Sequence, residues 1–246
     1  MKKIPELTLM FWIMKICATT LGETAGDLLS MTMNVGYAKS SLVLLAFFLV
    51  TLVTQIAVRR YHPPLYWAVI LSTSTAGTTI SDFMDRTLGL GYAAGSLSLI
   101  TILGVIFAVW RASEKSLAVD QVTTRRAEIF YWSAILVSNT LGTAFGDFLA
   151  DSSGLGFAGG AALVGGLLFV VVLATRFTRL SRVLLFWVAF VLTRPFGATM
   201  GDVLTKSHER GGLGFGTMGS SAILGGVLVV LIAYAVYQQS KLRPAA

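Results

Sequence analysis

Apolar residues run along the chain in long continuous stretches that short polar segments separate. A helix rises about 1.5 Å per residue, so about 20 residues span the roughly 30 Å hydrocarbon core of a bilayer. Eight stretches have this length, and none alternates between apolar and polar positions as a half-buried strand does. The pattern predicts an all-α polytopic membrane protein with eight transmembrane helices. The predicted spans are residues 7–30, 38–58, 64–86, 92–111, 128–150, 157–176, 182–205 and 216–238.

The odd-numbered stretches share a set of residues at constant spacing. Each begins with an aromatic residue followed by tryptophan, a glycine comes ten residues after the tryptophan, and an aspartate comes fifteen residues after it. The tryptophans are Trp12, Trp67, Trp132 and Trp187, the glycines Gly22, Gly77, Gly142 and Gly197, and the aspartates Asp27, Asp82, Asp147 and Asp202. A glycine-aromatic pair follows each aspartate, and in the fourth copy a three-residue insertion displaces it to Gly214-Phe215. The chain therefore contains four repeats of two helices each.

The spacing between the tryptophans sets the predicted domain organisation. The intervals are 55, 65 and 55 residues, so the longer middle interval separates two halves. We predict a single membrane domain over residues 1–246, with a cytoplasmic linker at residues 113–128. The predicted repeats are residues 1–60, 61–115, 126–180 and 181–240.

The repeat resembles a bacterial family of inner-membrane proteins of unknown function, which is defined by four tandem repeats of two transmembrane segments with a characteristic tryptophan in each. The tryptophans at positions 12, 67, 132 and 187 carry the resemblance, which covers nearly the whole chain. The resemblance implies an architecture and no activity.

An even number of spans per repeat gives every repeat the same orientation in the membrane. The repeats should then be related by a pseudo-fourfold or pseudo-twofold axis along the membrane normal. All four aspartates should lie at one depth. Since the tryptophans are interpreted as anchors at the membrane interface, fifteen helical residues put the aspartates about 22 Å further along, in the outer third of the bilayer.

Composition and charge agree with a bilayer environment. Hydrophobic residues make up 55% of the chain and charged residues 13%, which is too apolar for the surface of a soluble domain. The net charge of +7 comes from basic clusters between the stretches, and this distribution excludes a nucleic-acid partner. The basic side should be cytoplasmic, which places both termini in the cytoplasm and the protein in the bacterial inner (plasma) membrane. Its residues are Lys2, Lys3, Arg59, Arg60, Arg111, Lys115, Arg125, Arg126, Arg176, Arg179, Arg182, Lys241 and Arg243, whereas Lys39, Arg86, Lys206 and Arg210 lie toward the other side.

Helical phase places polar residues on one face of every odd helix. Positions seven, eleven and fifteen after the tryptophan are four residues apart and share a face, and eleven of the twelve are polar. Such a polar stripe should face an axis shared by the four helices, because polar groups are costly against lipid. The stripe contains Thr19, Glu23, Asp27, Ser74, Thr78, Asp82, Asn139, Thr143, Asp147, Arg194, Ala198 and Asp202. Beside it lie pairs of small residues that allow close helix packing. These pairs are Gly22 and Gly26, Gly77 and Ser81, Gly142 and Gly146, and Gly197 and Gly201.

Two basic residues interrupt the odd helices. Lys15 and Arg194 lie on or near the polar stripe, where we expect each to pair with Glu23 or with an aspartate. A second interpretation is that Arg194 occupies a cation path and moves during transport, or that it binds an anion.

The aspartates are the candidate chemical groups of the sequence. Carboxylate oxygens suit hard cations such as Mg²⁺, Ca²⁺ or Mn²⁺, and we assign the four aspartates as metal ligands, with Glu23 and the uncharged polar stripe residues as further pathway groups. One cysteine and two histidines without ligand spacing exclude a zinc or copper site. A structural alternative is that each aspartate binds backbone amides of the following loop.

We predict an integral membrane transporter of a small cation, with divalent metals among the candidates and proton coupling as one mechanism. Its partners would be the lipid bilayer, the cation and protons, and a homo-oligomer is compatible with the sequence. A passive cation channel and a non-transporting structural or lipid-interacting scaffold are the alternatives. No catalytic set is recognisable, so we predict neither enzyme activity nor a cofactor.

Overall fold

A computed structural model describes residues 3–58 and 60–241, and within these ranges the chain is helical without a β-strand. Of the basic residues used above to orient the chain, Lys2, Arg59 and Arg243 lie outside the described residues, as do parts of the first predicted repeat. Eight long α-helices are present: α1 Leu9–Asp27, α2 Tyr37–Ala57, α3 Pro63–Asp82, α4 Tyr92–Glu114, α5 Arg125–Asp147, α6 Gly156–Phe177, α7 Arg182–Thr205 and α8 Gly216–Lys241.

Local sequence explains where several helices begin. The hydroxyl oxygens of Thr8 and Thr124 accept hydrogen bonds from the amides of Phe11 and Ala127, which caps α1 and α5. Pro63 is the first residue of α3, where the missing amide proton costs nothing.

A π-helical turn follows each of the first three odd helices. The turns are Leu28–Thr32, Phe83–Thr87 and Phe148–Ser152, and in each case the repeated aspartate is the residue just before the turn. The fourth repeat differs, because α7 continues to Thr205 and a short 3₁₀-helix at His208–Arg210 follows. Since π turns are rare and are frequently found at functional sites, the aspartates mark an unusual region of three repeats.

The backbone also corrects the alignment of the fourth repeat. Glycines with left-handed φ values precede α4 at Gly89 and Gly91 (both +74°), and their equivalents at the start of α8 are Gly214 (+71°) and Gly216 (+70°), the first residue of that helix. Gly91 follows Asp82 by nine residues and Gly216 follows Asp202 by fourteen, so the insertion is five residues long. The three-residue insertion inferred from the Gly214-Phe215 pair is wrong, because the sequence offers two Gly-x-Gly registers there and only the backbone separates them.

The odd helices form a closed ring. Helix α1 packs against α3 and α7, and α5 packs against the same two helices. Each even helix packs on the outside against an odd helix of the following repeat: α2 against α3, α4 against α5, α6 against α7 and α8 against α1. The ring therefore surrounds a central axis, which we call the bundle axis.

Small residues permit the close contacts within the ring. A Cβ atom on Gly77 would lie 2.9 Å from the carbonyl carbon of Asn139, and one on Gly197 would lie 2.9 Å from that of Thr19. Gly22 and Gly142 face the next odd helix in the same way. Three of the four pairs have a second glycine, which packs against a side chain: Gly26 against Thr78, Gly146 against Ala198 and Gly201 against Glu23. Any larger residue at the first positions would push neighbouring backbones apart.

Apolarity differs between the inner and outer helices. Among the described residues, five helices are long and apolar enough to cross a membrane: the outer helices α2, α4, α6 and α8 and the inner helix α7. The other inner helices, α1, α3 and α5, carry more polar residues on the buried stripe, which lowers their mean hydropathy. Large apolar side chains are exposed on the outer helices, as at Val50, Phe169 and Val230. Several apolar helices compatible with a multi-pass membrane protein are therefore present.

Candidate functional site: a buried carboxylate cluster on the bundle axis

All twelve stripe positions are buried in the ring. Lys15 and seven of these residues lie along the bundle axis in three layers. The first layer contains Lys15 and Asn139, the second contains Arg194 and Glu23, and the third contains the four aspartates at the ends of their helices.

Five buried acids form what we call the carboxylate cluster, which consists of Glu23, Asp27, Asp82, Asp147 and Asp202. Each of Glu23, Asp147 and Asp202 offers a carboxylate oxygen, and these three oxygens all lie within 4.8 Å of one another. The structure thus brings two of the four repeated aspartates together with Glu23. Asp27 and Asp82 join the cluster through basic side chains.

Two basic residues bridge neighbouring aspartates. The Arg86 guanidinium lies 2.9 Å from Asp82 and 3.0 Å from Asp147, whereas the Lys206 ammonium lies 3.2 Å from Asp27 and 3.0 Å from Asp202. Both residues come four positions after the aspartate of their own repeat, so each reaches that aspartate one helical turn back and also one on a neighbouring helix.

The bridges partly cover the cluster. The side chains of Arg86 and Lys206 are 34% and 20% exposed, while the aspartates are at most 5% exposed. The rings of Tyr37 and Tyr92 lie 6.0 Å and 5.7 Å from the Arg86 guanidinium, within the range of cation–π attraction. Burial lowers the pKa of Lys206, but the carboxylates of Asp202 and Asp27 raise it by more, so its ammonium stays charged at neutral pH.

Arg194 fills the bundle axis directly below the cluster. Its Nη2 atom lies 2.9 Å from Glu23 Oε2 and donates to the hydroxyls of Thr78 (2.6 Å) and Thr143 (2.7 Å). The two threonine hydroxyls also contact Glu23 Oε2, at 3.3 Å and 3.1 Å. One nitrogen and one carboxylate oxygen therefore join all four odd helices, and Arg194 pairs with Glu23 as one of the two sequence interpretations states.

Lys15 has neutral partners, contrary to the expected pairing with an acid. Its ammonium lies 3.4 Å from Asn139 Oδ1 and 4.2 Å from the centre of the Phe190 ring, and no carboxylate of the described residues lies within salt-bridge distance. The Asn139 amide donates in turn to Thr73. Glu23 is two helical turns from Lys15 on α1, which is too far to neutralise it.

The tryptophans lie at the opposite end of the ring from the aspartates. Trp67, Trp132 and Trp187 are buried, and Trp12 is partly exposed. The aromatic residue before each tryptophan contacts the tryptophan of the next repeat; the ring centroids are 5.7 Å apart for Phe11 and Trp67, 5.6 Å for Tyr66 and Trp132, 6.1 Å for Tyr131 and Trp187, and 5.9 Å for Phe186 and Trp12. We call the four tryptophans and the aromatic residue before each of them, eight side chains in total, the aromatic ring. The three buried tryptophans offer little surface to a lipid interface and pack between helices instead.

Not every stripe residue joins the charged network. The Thr19 hydroxyl donates to backbone carbonyls, among them that of Thr193 at 3.2 Å. The Ser74 hydroxyl is buried without a hydrogen-bond partner among the described residues, although its carbonyl lies 3.5 Å from Arg194 Nη2. Ser81, beside the stripe, lies 3.4 Å from the buried Asp85.

The aspartates bind side chains and not the loop backbone. Within residues 3–58 and 60–241, no backbone amide donates a hydrogen bond to any of the four carboxylates. Oδ1 of Asp27 is buried without a hydrogen-bond partner in the same residues. The described residues therefore do not form the helix-end cap that the structural alternative proposed.

Sequence reasoning did not assign Arg86 and Lys206 to the site. A signal was present, because both follow a repeated aspartate by four residues and lie 120 residues apart, which is the offset between the two halves. Thr73 was also missed, and it carries no comparable signal. Tyr66 and Tyr131 belong to the repeated aromatic-tryptophan pairs, but the repeat did not indicate the hydrogen bond between them.

Comparison with known families agrees with the fourfold repeat. A family model described as Repeat of Unknown Function (DUF347) matches residues 10–61, 65–116, 130–181 and 185–241. The chain belongs to this family. No curated protein and no solved structure matches the chain.

The donor atoms of the carboxylate cluster are all oxygens. Carboxylate and hydroxyl oxygens surround the cluster, and such oxygens prefer hard cations. The three closest carboxylates come from three different odd helices, so a cation bound among them would hold α1, α5 and α7 together.

Proposed function

We propose that the protein is a multi-pass transporter of the bacterial inner membrane that moves a small cation, with a divalent metal ion as the first candidate. The observation that carries the proposal is the group of three buried carboxylates, Glu23, Asp147 and Asp202, whose oxygens lie within 4.8 Å of one another. Like charges at this distance repel strongly in a medium of low dielectric constant, and a shared cation or protons would relieve that repulsion.

Charge balance in the cluster supports a cation of charge two or its equivalent in protons. The cluster contains five carboxylates, and three basic side chains contact it: Arg86, Lys206 and Arg194. The carboxylates therefore outnumber the basic side chains by two, and an uncompensated buried charge is costly. One divalent ion, two monovalent ions or two protons would neutralise the excess.

We also propose that all eight α-helices cross the membrane. The inner helices would be shielded from lipid by the outer ones, so their polar stripes need not face hydrocarbon. The described ends of the chain, at Lys3 and Lys241, lie at the aromatic-ring end, and the excess of basic residues at that end makes it cytoplasmic. The carboxylate cluster would then face the outside of the cell.

The groups below the cluster favour a transporter over a passive channel. A cation leaving the cluster along the bundle axis would meet Arg194, then Lys15 and then the aromatic ring. Two fixed positive charges and a plug of packed side chains oppose free diffusion. Release to the cytoplasmic side requires Arg194 to leave Glu23, and protons that enter the cluster as the cation leaves would preserve its charge balance. Proton coupling is thus part of the proposal.

The decisive experiment is a cation screen with purified protein in proteoliposomes, covering Mg²⁺, Ca²⁺, Mn²⁺ and the alkali ions. We expect saturable uptake that an opposing pH gradient accelerates, and loss of uptake in Asp147→Asn and Asp202→Asn. The matched control is Asp151→Asn, since Asp151 is an exposed acid close to the cluster that does not belong to it.

Other outcomes would replace the proposal. A current that follows the electrochemical gradient without saturation would favour a channel. A folded protein that neither binds nor moves any cation of the screen would rule out transport, and loss of stability without an ion effect in the variant Asp27→Asn/Asp82→Asn/Asp147→Asn/Asp202→Asn would favour a scaffold.

A further inference from the structure

A groove separates helix α4 from helix α7 on the outside of the bundle. It has a volume of about 650 Å³, and its apolar wall includes Phe107, Leu184, Val188 and Val191. Its floor contains Trp187, whose indole nitrogen donates to the carbonyl oxygen of Leu117 at 2.9 Å. The linker between α4 and α5 is thereby fixed across one end of the groove.

The two halves of the molecule differ in the contact between the helices that border the groove. Helix α4 packs mainly on α5, and it does not form a substantial contact with α7. The helices at the equivalent positions are α8 and α3, which do pack against each other. The open space therefore arises where the two halves differ.

The charges around the groove have one sign. Arg111 and Lys115 line its end near the linker, both are exposed, and no acidic side chain lines the groove. Neither residue forms a salt bridge within the described part of the chain.

A neighbouring groove has a different charge pattern. This second groove, of about 370 Å³, is lined by Lys3 and Arg182 but also by Glu6 and Asp120, so its charges balance. An anion would be attracted to the α4–α7 groove and not to the balanced one.

We propose that the α4–α7 groove binds an anionic phospholipid. Arg111 and Lys115 would bind the phosphate of the headgroup, and an acyl chain would lie along Phe107, Val188 and Val191. Basic residues at the cytoplasmic ends of membrane helices attract anionic lipid headgroups, and the apolar wall of the groove is suited to an acyl chain. The proposal rests on the membrane orientation given above and not on the cation being transported.

The test compares lipid retention by native mass spectrometry of the full chain with phosphatidylglycerol and with phosphatidylcholine. The Arg111→Gln/Lys115→Gln variant should bind phosphatidylglycerol roughly thirtyfold more weakly, with phosphatidylcholine binding unchanged. The matched control is Arg176→Gln/Arg179→Gln, which removes two exposed positive charges near the C-terminal end of α6. It should leave the retention of phosphatidylglycerol unchanged.

A second variant separates the groove from its charges. Val188→Trp fills the apolar wall at a position that is 38% exposed, so folding should be retained, and phosphatidylglycerol retention should fall although both basic residues remain. Equal losses of phosphatidylglycerol retention in Arg111→Gln/Lys115→Gln and in its control would overturn the proposal. Retention that Val188→Trp leaves unchanged would also overturn it, because the headgroup would then bind without the groove. Neither readout depends on cation transport.

Discussion

The two ends of the ring of odd helices are closed by different chemistry. At the end that carries the described chain termini, aromatic side chains of successive repeats contact each other around the whole ring, and the hydroxyls of Tyr66 and Tyr131 form a hydrogen bond of 2.7 Å. At the other end, four aspartates and Glu23 meet with Arg86 and Lys206. The same repeated helix therefore supports a neutral, packed end and a charged end.

The difference between the ends indicates where function lies. The aromatic side chains carry no charge, each ring contacts its neighbour, and the buried hydroxyls of Tyr66 and Tyr131 share one hydrogen bond, while the indole nitrogen of Trp67 is buried without a partner in the described residues. The carboxylate cluster has an excess of negative charge and an unpartnered buried oxygen on Asp27. Buried charges that a protein does not neutralise internally are typical of ligand sites.

The largest effect should come from removing the positive charge between the two ends. Arg194→Met should destabilise the protein by about 3–5 kcal/mol, because Glu23 would remain buried without its partner. Thermal and denaturant unfolding in detergent measure this. The double variant Glu23→Gln/Arg194→Met should recover most of the loss, and a single variant that unfolds like the wild type would show that the pair contributes little.

A smaller effect should come from the packing that holds both ends in register. Gly77→Ala should cost about 1–3 kcal/mol, because its Cβ would lie 2.9 Å from the backbone of Asn139 and Thr140 on the next helix. Gly166→Ala is the matched control, since no atom lies within 4 Å of its Cβ position. Unfolding midpoints that shift equally in the two variants would contradict the close contact.

A ligand effect should distinguish the charged end from the neutral one. Asp147→Asn should weaken cation binding by a factor of about 10 or more. Even the loss of a group that hydrogen-bonds a metal ligand typically lowers metal affinity by roughly 10–100-fold. Stability without cation should stay the same or rise, because the substitution lowers the excess of negative charge in the cluster. Isothermal titration calorimetry against Asp151→Asn measures the first effect, and equal affinities in the two variants would exclude Asp147 as a ligand.

The smallest effect should come from the neutral end. Tyr66→Phe removes one buried hydrogen bond and should cost about 0.5–1.5 kcal/mol, while Tyr66→Phe/Tyr131→Phe should be closer to neutral because no unpaired hydroxyl remains. Cation affinity should not change in either variant. A change in affinity would show that the two ends are coupled through the bundle axis.

Much of the fold could be predicted from the sequence. The predicted span at residues 182–205 coincides with α7, and most other bounds agree with a helix to within a few residues. Helical phase also identified the buried face of each odd helix, because a polar stripe on an otherwise apolar helix is costly against lipid. The π turns were not predicted, since their residues have no repeated signature.

The candidate site was predicted in part. The aspartates and Glu23 followed from spacing and from the one extra acid on the stripe. Arg86 and Lys206 did not, because each reaches an aspartate on a neighbouring helix, and that contact depends on how the helices close into a ring. The neutral partners of Lys15 depend on the same closure.

The sequence by itself determined the repeat, the helices and the polar face of each odd helix, because these follow from periodicity along one segment. Only the tertiary structure decided which carboxylates meet, which basic side chains bridge them and that three of the four repeated tryptophans are buried in the bundle. The physical reason is that the sequence of one repeat determines only the surface of its own helices. Contacts across the bundle axis form when the four odd helices pack at the close distance that their glycines allow.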